Sequence, residues 1–311
     1  MVRVITPSRV HMTLIDLNGA LGRVDGGIGF ALRSPGMVVE VERSRSLSVK
    51  GELAERALAA AKRVLEAYSL PGAEIKVLKG YPQHVGLGSG TQLSLAVATG
   101  ICRAYDISAS VRELARIVGR GGTSGIGVAA FEGGGFILDG GHSKQEKPEF
   151  LPSSASRAKP APLVMRHDFP DWDVALVLPE PKRRVSGERE VNIFQRFCPI
   201  PINQVERLSH VILMKLLPAL VEEDIAAFGE AVNAVQSLGF KEIEVMLQAP
   251  NVREILALCQ RLSYGAGLSS FGPVIYAFPR DAKEFLRAMR SRSDVRRVWL
   301  TKADNEGARV E

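Results

Sequence analysis

The first residues alternate: "VRVITPSRVHMTLIDL" switches between apolar and polar positions with a period of two, which predicts a strand. The next stretch, "NGALGRVDGGIGFALRSPG", is broken by glycines and aspartates that mark turns between short β-runs, and "MVVEVERS" resumes a strand. From Glu52 to Leu70 the period becomes helical, with Leu53, Ala57, Ala60, Ala61, Val64, Leu65 and Tyr68 on one face and Pro71-Gly72 as the stop. "AEIKVLKG" reads as a strand, and a helix follows from about Ser89 to Tyr105. "SASVRELARIVGR" gives another helix, capped by Ser108 or Ser110.

Residues 143–162 are rich in Lys, Pro and Ser and lack periodicity, which predicts a long exposed loop or linker. A domain boundary is placed near its end, dividing the chain into 1–165 and 166–311. Beyond it "DWDVALVLPE" is a buried strand, and "SGEREVNIFQRF", "INQVERLSHVILMKLL", "EEDIAAFGEAVNAV" and "APNVREILALCQRL" are helices. The end reads strand, helix, strand through "GPVIYAFP", "DAKEFLRAMRS" and "VRRVWLTKA". This order predicts α+β layers, and no internal repeat interrupts it.

Composition narrows the function classes. At 311 residues two domains are the default, and no apolar run approaches the roughly 18 residues that span a bilayer, so no membrane association is expected. The N-terminus lacks the apolar stretch of a secretory signal, and a cytoplasmic protein is expected. Cys102, Cys198 and Cys259 are far apart and never in C-x-x-C spacing, which points to buried hydrophobes, not to disulfides or zinc. The net charge of +6 comes with scattered basic residues and few aromatics, which fits a pocket for an anionic small molecule better than nucleic acid.

One stretch carries chemistry: "YPQHVGLGSGTQLSLAVATG", Tyr81 to Gly100. The dipeptide Gly-Lys occurs nowhere, which excludes a P-loop, and "GLGSGT" has Thr91 where a dinucleotide fingerprint needs its third glycine. The remaining arrangement is an anion cradle. Gly86, Gly88 and Gly90 let backbone amides approach, Ser89 and Thr91 add hydroxyls, and the following helix adds its positive end. A plain tight turn is the alternative on spacing alone.

"PQHVGLGSGTQ" resembles the P-x-x-x-G-L-x-S-S motif of the GHMP kinases (galactose, homoserine, mevalonate and phosphomevalonate kinases), matching at Pro82, Gly86, Leu87, Gly88 and Ser89. "YGAGLSSFGPVIYAF" resembles that superfamily's last motif. The resemblance implies an N-terminal domain like the second domain of ribosomal protein S5, a ferredoxin-like C-terminal domain and a cleft between them. Two positions depart from the kinases. The second serine of their loop is Gly90, and the aspartate of a later S-G-x-D motif is Gly127 in "TSGIG". A glycine has no side chain to accept a proton, so the phosphate cradle is kept and the transfer base is missing.

"SRVHMTLIDLNGALGRVDGGIGFAL", "GRGGTSGIGVAAFEGGGFILDGGHS", "SGEREVNIF" and "AGLSSFGP" together resemble the β-ribofuranosylaminobenzene 5'-phosphate synthase family of methanopterin biosynthesis. That resemblance implies condensation of phosphoribosyl pyrophosphate with 4-aminobenzoate or 4-hydroxybenzoate, loss of CO2 and pyrophosphate, and a homodimer. Magnesium is the expected cofactor for the diphosphate. Asp16, Asp25, Glu132 and Asp139, in matched segments, are the candidates both for stabilising positive charge at ribose C1 and for the metal, with turn or surface roles as the alternatives.

His142 is a candidate for contact with phosphate or benzoate, His84 for a donor at the loop, and His11 for a place facing the cleft. Leu87, Gln92, Thr123, Ser124, Gly125 and Ser269, in or beside matched segments, complete the substrate-binding set with the loop glycines. Arg9, Arg23 and Arg120 are alternatives for clamping the 5'-phosphate. Lys182, Arg183, Arg184 and Arg189 form a basic cluster at a helix start. The rival readings are an ATP-dependent small-molecule kinase, against which Gly90 and Gly127 speak, and a non-catalytic phosphate-binding relative.

Overall fold

A computed structural model describes residues 1–153, 155–180 and 188–311. In chain order the first part runs β1 (Val2–Asp16), β2 (Arg23–Arg43), β3 (Ser48–Gly51), α1 (Ala54–Ala67), β4 (Ala73–Lys79), α2 (Ser89–Ala104), α3 (Val111–Ile117) and α4 (Ile126–Gly133). It closes with β5 (Phe136–Asp139), β6 (His142–Ser143) and β7 (Leu163–His167). The second part runs β8 (Val174–Pro179), α5 (Glu188–Phe197), α6 (Ile202–Val211), a π-helical turn (Ile212–Leu216), α7 (Leu217–Val221), α8 (Ile225–Val235) and α9 (Gly239–Met246). It continues with α10 (Pro250–Leu262), β9 (Ser263–Leu268), β10 (Ile275–Pro279), α11 (Ala282–Arg290), β11 (Val295–Thr301) and β12 (Arg309–Val310).

Where short β-runs separated by turns were expected, β2 is one strand of 21 residues. It pairs antiparallel with β1 on one side and with β4 and β5 on the other, so two ladders override the low strand propensity of its glycines. Gly29 is required there: a Cβ would lie 2.3 Å from the Val10 carbonyl oxygen and 2.7 Å from Ile126, where α4 packs on the sheet. That helix escaped the sequence reading because glycines flank and enter it. Ser110, of the two serines considered, caps α3 by accepting from the Glu113 amide.

The segment 143–162 is not a free linker. Lys147 and Ala161 are buried in it, and β6 and β7 at its two ends pair with β2 and β5. A division at 165 therefore falls inside β7, a strand of the first sheet, and β12 brings the last residues back beside β1. The second sheet has the order β11-β8-β10-β9, all antiparallel. With β8 as its first strand this is the 4-1-3-2 order of a ferredoxin-like sheet, the helices α5 to α10 forming its first crossover.

One core joins the two parts. Phe30 of β2 stacks on Phe169 at 4.5 Å between centroids and meets Tyr276 of β10 edge-on at 5.9 Å. Each such ring contributes about 2–3 kcal/mol by leaving water, so the parts are held in one orientation. Among the described residues, no helix is long and apolar enough to cross a membrane.

Candidate active site

The loop before α2 has its shape forced on it. Gly86 and Gly88 have φ of +96° and +76°, which favours glycine, and a Cβ on Gly86 would lie 2.2 Å from the Ser269 carbonyl oxygen. Ser269 Oγ donates to the Gly86 carbonyl (2.7 Å) and accepts from the His11 amide (3.1 Å), and the Arg9 guanidinium also donates to Gly86. The Arg9 amide and the Tyr81 hydroxyl both donate to the Leu87 carbonyl at 3.2 Å. Ser269 thus fastens the loop between β1 and the β9–β10 turn, and the buried Leu87 anchors it in the core.

So fixed, the loop turns Ser89, Gly90 and Thr91 into a cleft of about 600 Å³. First-turn amides of α2 have no partner within the helix, and the helix dipole adds partial positive charge there. Two guanidinium groups cover this turn: those of Arg56 and Arg120 lie about 3.4 and 3.5 Å from where a Cβ on Gly90 would sit. Arg9 and Arg63 also line the cleft. Among the described residues, Nε of Arg9 and Nε of Arg120 are buried donors without partners. Burial, together with Arg56 and Arg63, holds the Arg120 pKa below its ordinary value, and burial lowers that of Arg9 to about 10. Cations crowded with unmade hydrogen bonds are an anion site. Burial, Arg9 and Lys241 push the His11 pKa well down, leaving a neutral imidazole in the cleft wall.

The acids lie elsewhere. Asp25, the first choice for chemistry, is buried with His142 Nδ1 at 2.7 Å and Lys147 Nζ at 2.9 and 3.0 Å. Lys147 Nζ also donates to Thr123 Oγ1 and to the Leu151 carbonyl, both at 2.8 Å. His142 Nε2 lies 2.9 Å from the Lys159 carbonyl. Both ring nitrogens face acceptors, so both donate and the ring is an imidazolium. Burial alone would lower the His142 pKa, but Asp25 outweighs it and the net shift is upward. This network pins the 143–162 segment, and His142 does not reach the cleft.

Asp139 is also buried, accepting from the Gly125 amide (2.8 Å), the Gly141 amide (3.0 Å) and Ser124 Oγ (3.3 Å). It steadies the start of α4, and burial raises its pKa to about 6. Asp16 accepts from the Asn18 and Gly19 amides in a turn, and Glu132 is exposed, 3.8 Å from Arg112. None of these four lines the cleft. Arg23 is likewise occupied by the Gly140 and Gly141 carbonyls. Thr123 and Ser124 border the cleft, but the Thr123 hydroxyl is engaged by Lys147 and Leu151. Gln92 is buried and donates to the Gly127 carbonyl at 2.8 Å. Arg184, Lys182 and Arg183 lie outside the described residues, as does the side chain of Arg189.

Among the described residues the acid that does border the cleft is Glu244, and it is bound by the buried Lys241, whose Nζ also donates to the Leu268 and Ser270 carbonyls. No cluster of three His, Cys, Asp or Glu among the described residues suits a metal. Magnesium needs only one or two carboxylates beside the oxygens of a diphosphate, and the carboxylate that lines the cleft among the described residues, Glu244, is paired with Lys241. Gly127 does not face the cleft either: a Cβ there would press on Thr91 at 3.2 Å, so the glycine lets α4 approach α2.

Sequence reasoning missed Arg56 and Arg63, although their spacing of seven puts both on one face of α1. It also missed the opposite character of Leu14, Phe194 and Phe271, which give the same cleft an apolar wall.

Residues 53–135 match the GHMP kinases N terminal domain and 216–294 the GHMP kinases C terminal domain. The fold is that of the Methanococcus jannaschii mevalonate kinase, with a TM-score of 0.69 at 16% identity over 98% of each chain. The chain is 48% identical to the beta-ribofuranosylphenol 5'-phosphate synthase of Archaeoglobus fulgidus over all of both chains. It is 52% identical to that of Methanothermobacter thermautotrophicus over 88% of this chain and 87% of the relative. It belongs to the beta-ribofuranosylphenol 5'-phosphate synthase family.

Proposed function

We propose that this chain joins phosphoribosyl pyrophosphate to 4-hydroxybenzoate, releasing CO2 and pyrophosphate, as the names of its relatives suggest for the product; 4-aminobenzoate is the alternative acceptor. The observation that carries this reading is the cleft itself, where buried guanidinium donors without partners lie by the start of α2 and, among the described residues, the one lining carboxylate, Glu244, is already paired with Lys241. The diphosphate sits on the amides of Ser89, Gly90 and Thr91 beneath Arg56 and Arg120, leaving Arg9 and Arg63 for the 5'-phosphate.

The chemistry needs no base. The ring carbon that bears the carboxylate bonds to ribose C1 as the C1–oxygen bond breaks, its electron pair leaving with pyrophosphate. The bond to the carboxylate then breaks, its pair returns to the ring, and CO2 departs. Guanidinium groups preorganised around the leaving diphosphate stabilise the charge it gains. In this scheme Asp16, Asp25 and Asp139 support the fold, Glu132 is a surface acid, and none of the four meets C1. A cytoplasmic homodimer belongs to the same reading, and light scattering of the purified protein tests its dimer.

The experiment is incubation with phosphoribosyl pyrophosphate and carboxyl-labelled 4-hydroxybenzoate or 4-aminobenzoate, with labelled CO2 as the readout. Release dependent on the donor is expected; consumption of ATP without CO2 release would overturn the reading in favour of a kinase.

A further inference from the structure

We propose that the apolar wall of the cleft is the seat of the acceptor's aromatic ring, with Phe271 and Phe194 as the residues that select it. This rests on the reaction proposed above and names the part of the site that reaction leaves unassigned. Leu14 comes from β1, Phe194 from α5 and Phe271 from the β9–β10 turn, three elements far apart in sequence that converge on one wall. The rings of Phe194 and Phe271 lie 6.3 Å apart at 50°, and Phe240 backs both, at 4.7 and 5.8 Å. The three rings support one another from behind, so the wall is rigid on the side that faces the cleft.

An anion site alone does not explain such a wall. A phosphorylated sugar presents hydroxyls and phosphates, for which buried phenyl faces offer nothing, whereas a planar benzoate ring gains both area and edge-to-face contacts there. The arginines come instead from α1, from Arg120 just after α3 and from Arg9 in the middle of β1. A ring held on the apolar wall keeps its carboxylate from being clamped as a permanent ion pair, and the same low-polarity setting favours its loss as uncharged CO2. Phe271 is held in place by the Lys241–Glu244 pair, since Lys241 Nζ donates to the carbonyls of Leu268 and Ser270 on its N-terminal side. The Gln248 side chain donates to the Phe271 carbonyl at 3.1 Å. These bonds add to those by which Ser269 and Ser270 already tie the turn to Gly86 and His11.

The test is steady-state kinetics of CO2 release for Phe271→Leu and Phe194→Leu. Each is expected to raise the KM for 4-hydroxybenzoate by about tenfold while moving the KM for phosphoribosyl pyrophosphate less than twofold. An unchanged acceptor KM, or an equal rise for both substrates, would overturn the proposal. Photolabelling of the wild-type protein with 4-azidobenzoate reads the same seat without turnover or substitution. Adducts on residues 191–197 or 269–273 are expected, and adducts confined to the peptides bearing Arg56, Arg63 and Arg120 would overturn the assignment. A wild-type protein that releases no CO2 would defeat the proposed reaction, while the position of the label would still decide where an aromatic carboxylate binds.

Discussion

Two charged clusters of this protein are built from similar residues and have opposite characters. Around Asp25, one carboxylate meets Lys147 and His142, and the donor hydrogens of both cations reach oxygen acceptors. Around the start of α2, Arg9, Arg56, Arg63 and Arg120 share one cleft, and among the described residues no free carboxylate lines it and two of their donors have no partner. A satisfied buried network holds a scaffold, because breaking it strands a charge. A set of like charges that keeps buried donors unpartnered, as the Nε atoms of Arg9 and Arg120 do among the described residues, is a candidate binding site, because a ligand would complete it. The comparison moves chemistry away from the aspartates that a sequence reader reaches for first and towards arginines on an ordinary amphipathic helix.

The largest effect expected to sharpen this contrast is Asp25→Ala, which leaves Lys147 and His142 as buried unpaired cations. A loss of about 3–5 kcal/mol in urea unfolding is expected, and a stable protein with abolished turnover would instead return Asp25 to the chemistry. Arg120→Ala should do the reverse, raising the KM for phosphoribosyl pyrophosphate about 10–100-fold, or roughly 1.4–2.7 kcal/mol. Its thermal midpoint should hold or rise as repulsion with Arg56 and Arg63 is relieved; a fall in stability with unchanged KM would break the distinction.

Gly127→Asp, which restores the kinase-like aspartate, should lower stability by about 1–3 kcal/mol because the new side chain presses on Thr91. It should not improve the synthase, and a large gain in CO2 release would count against both the steric account and the proposed reaction.

The network also has a pH signature. The His142 pKa is raised on folding, so its stabilising contribution is complete below the unfolded value of about 6.5 and is lost as pH rises through the folded pKa. Urea midpoints of the wild type and His142→Gln should therefore converge as pH increases from about 5.5 to 9; a gap that widens would show that the ring is not held as a cation. At the small end, Glu132→Gln should change CO2 release less than about twofold and stability by less than about 0.5 kcal/mol, since Glu132 is exposed and only loosely paired.

Much of the architecture was legible. The period-two run at the start, the period-3.6 run of α1 and the closing strand, helix and strand all appear where the pattern puts them, because each buries one face and repeats its apolar positions accordingly. The strand β2 was read as several pieces because local propensity counts its glycines against it, whereas two flanking ladders hold it together. The segment 143–162 looked like a linker because its one buried lysine is invisible until Asp25 is brought to meet it.

The site divides along the same line. The sequence by itself marked the glycine loop before α2 as a candidate anion cradle, with a plain turn as the alternative, since glycines ahead of a helix start are a signal written within ten residues. Only the tertiary structure decided which charges face it. Charge type is set by a single residue, but whether that charge is paired depends on partners more than a hundred residues away: Lys147 for Asp25, and none at all for the Arg120 Nε among the described residues. Pairing is a property of distance in space, and distance in space is what folding supplies.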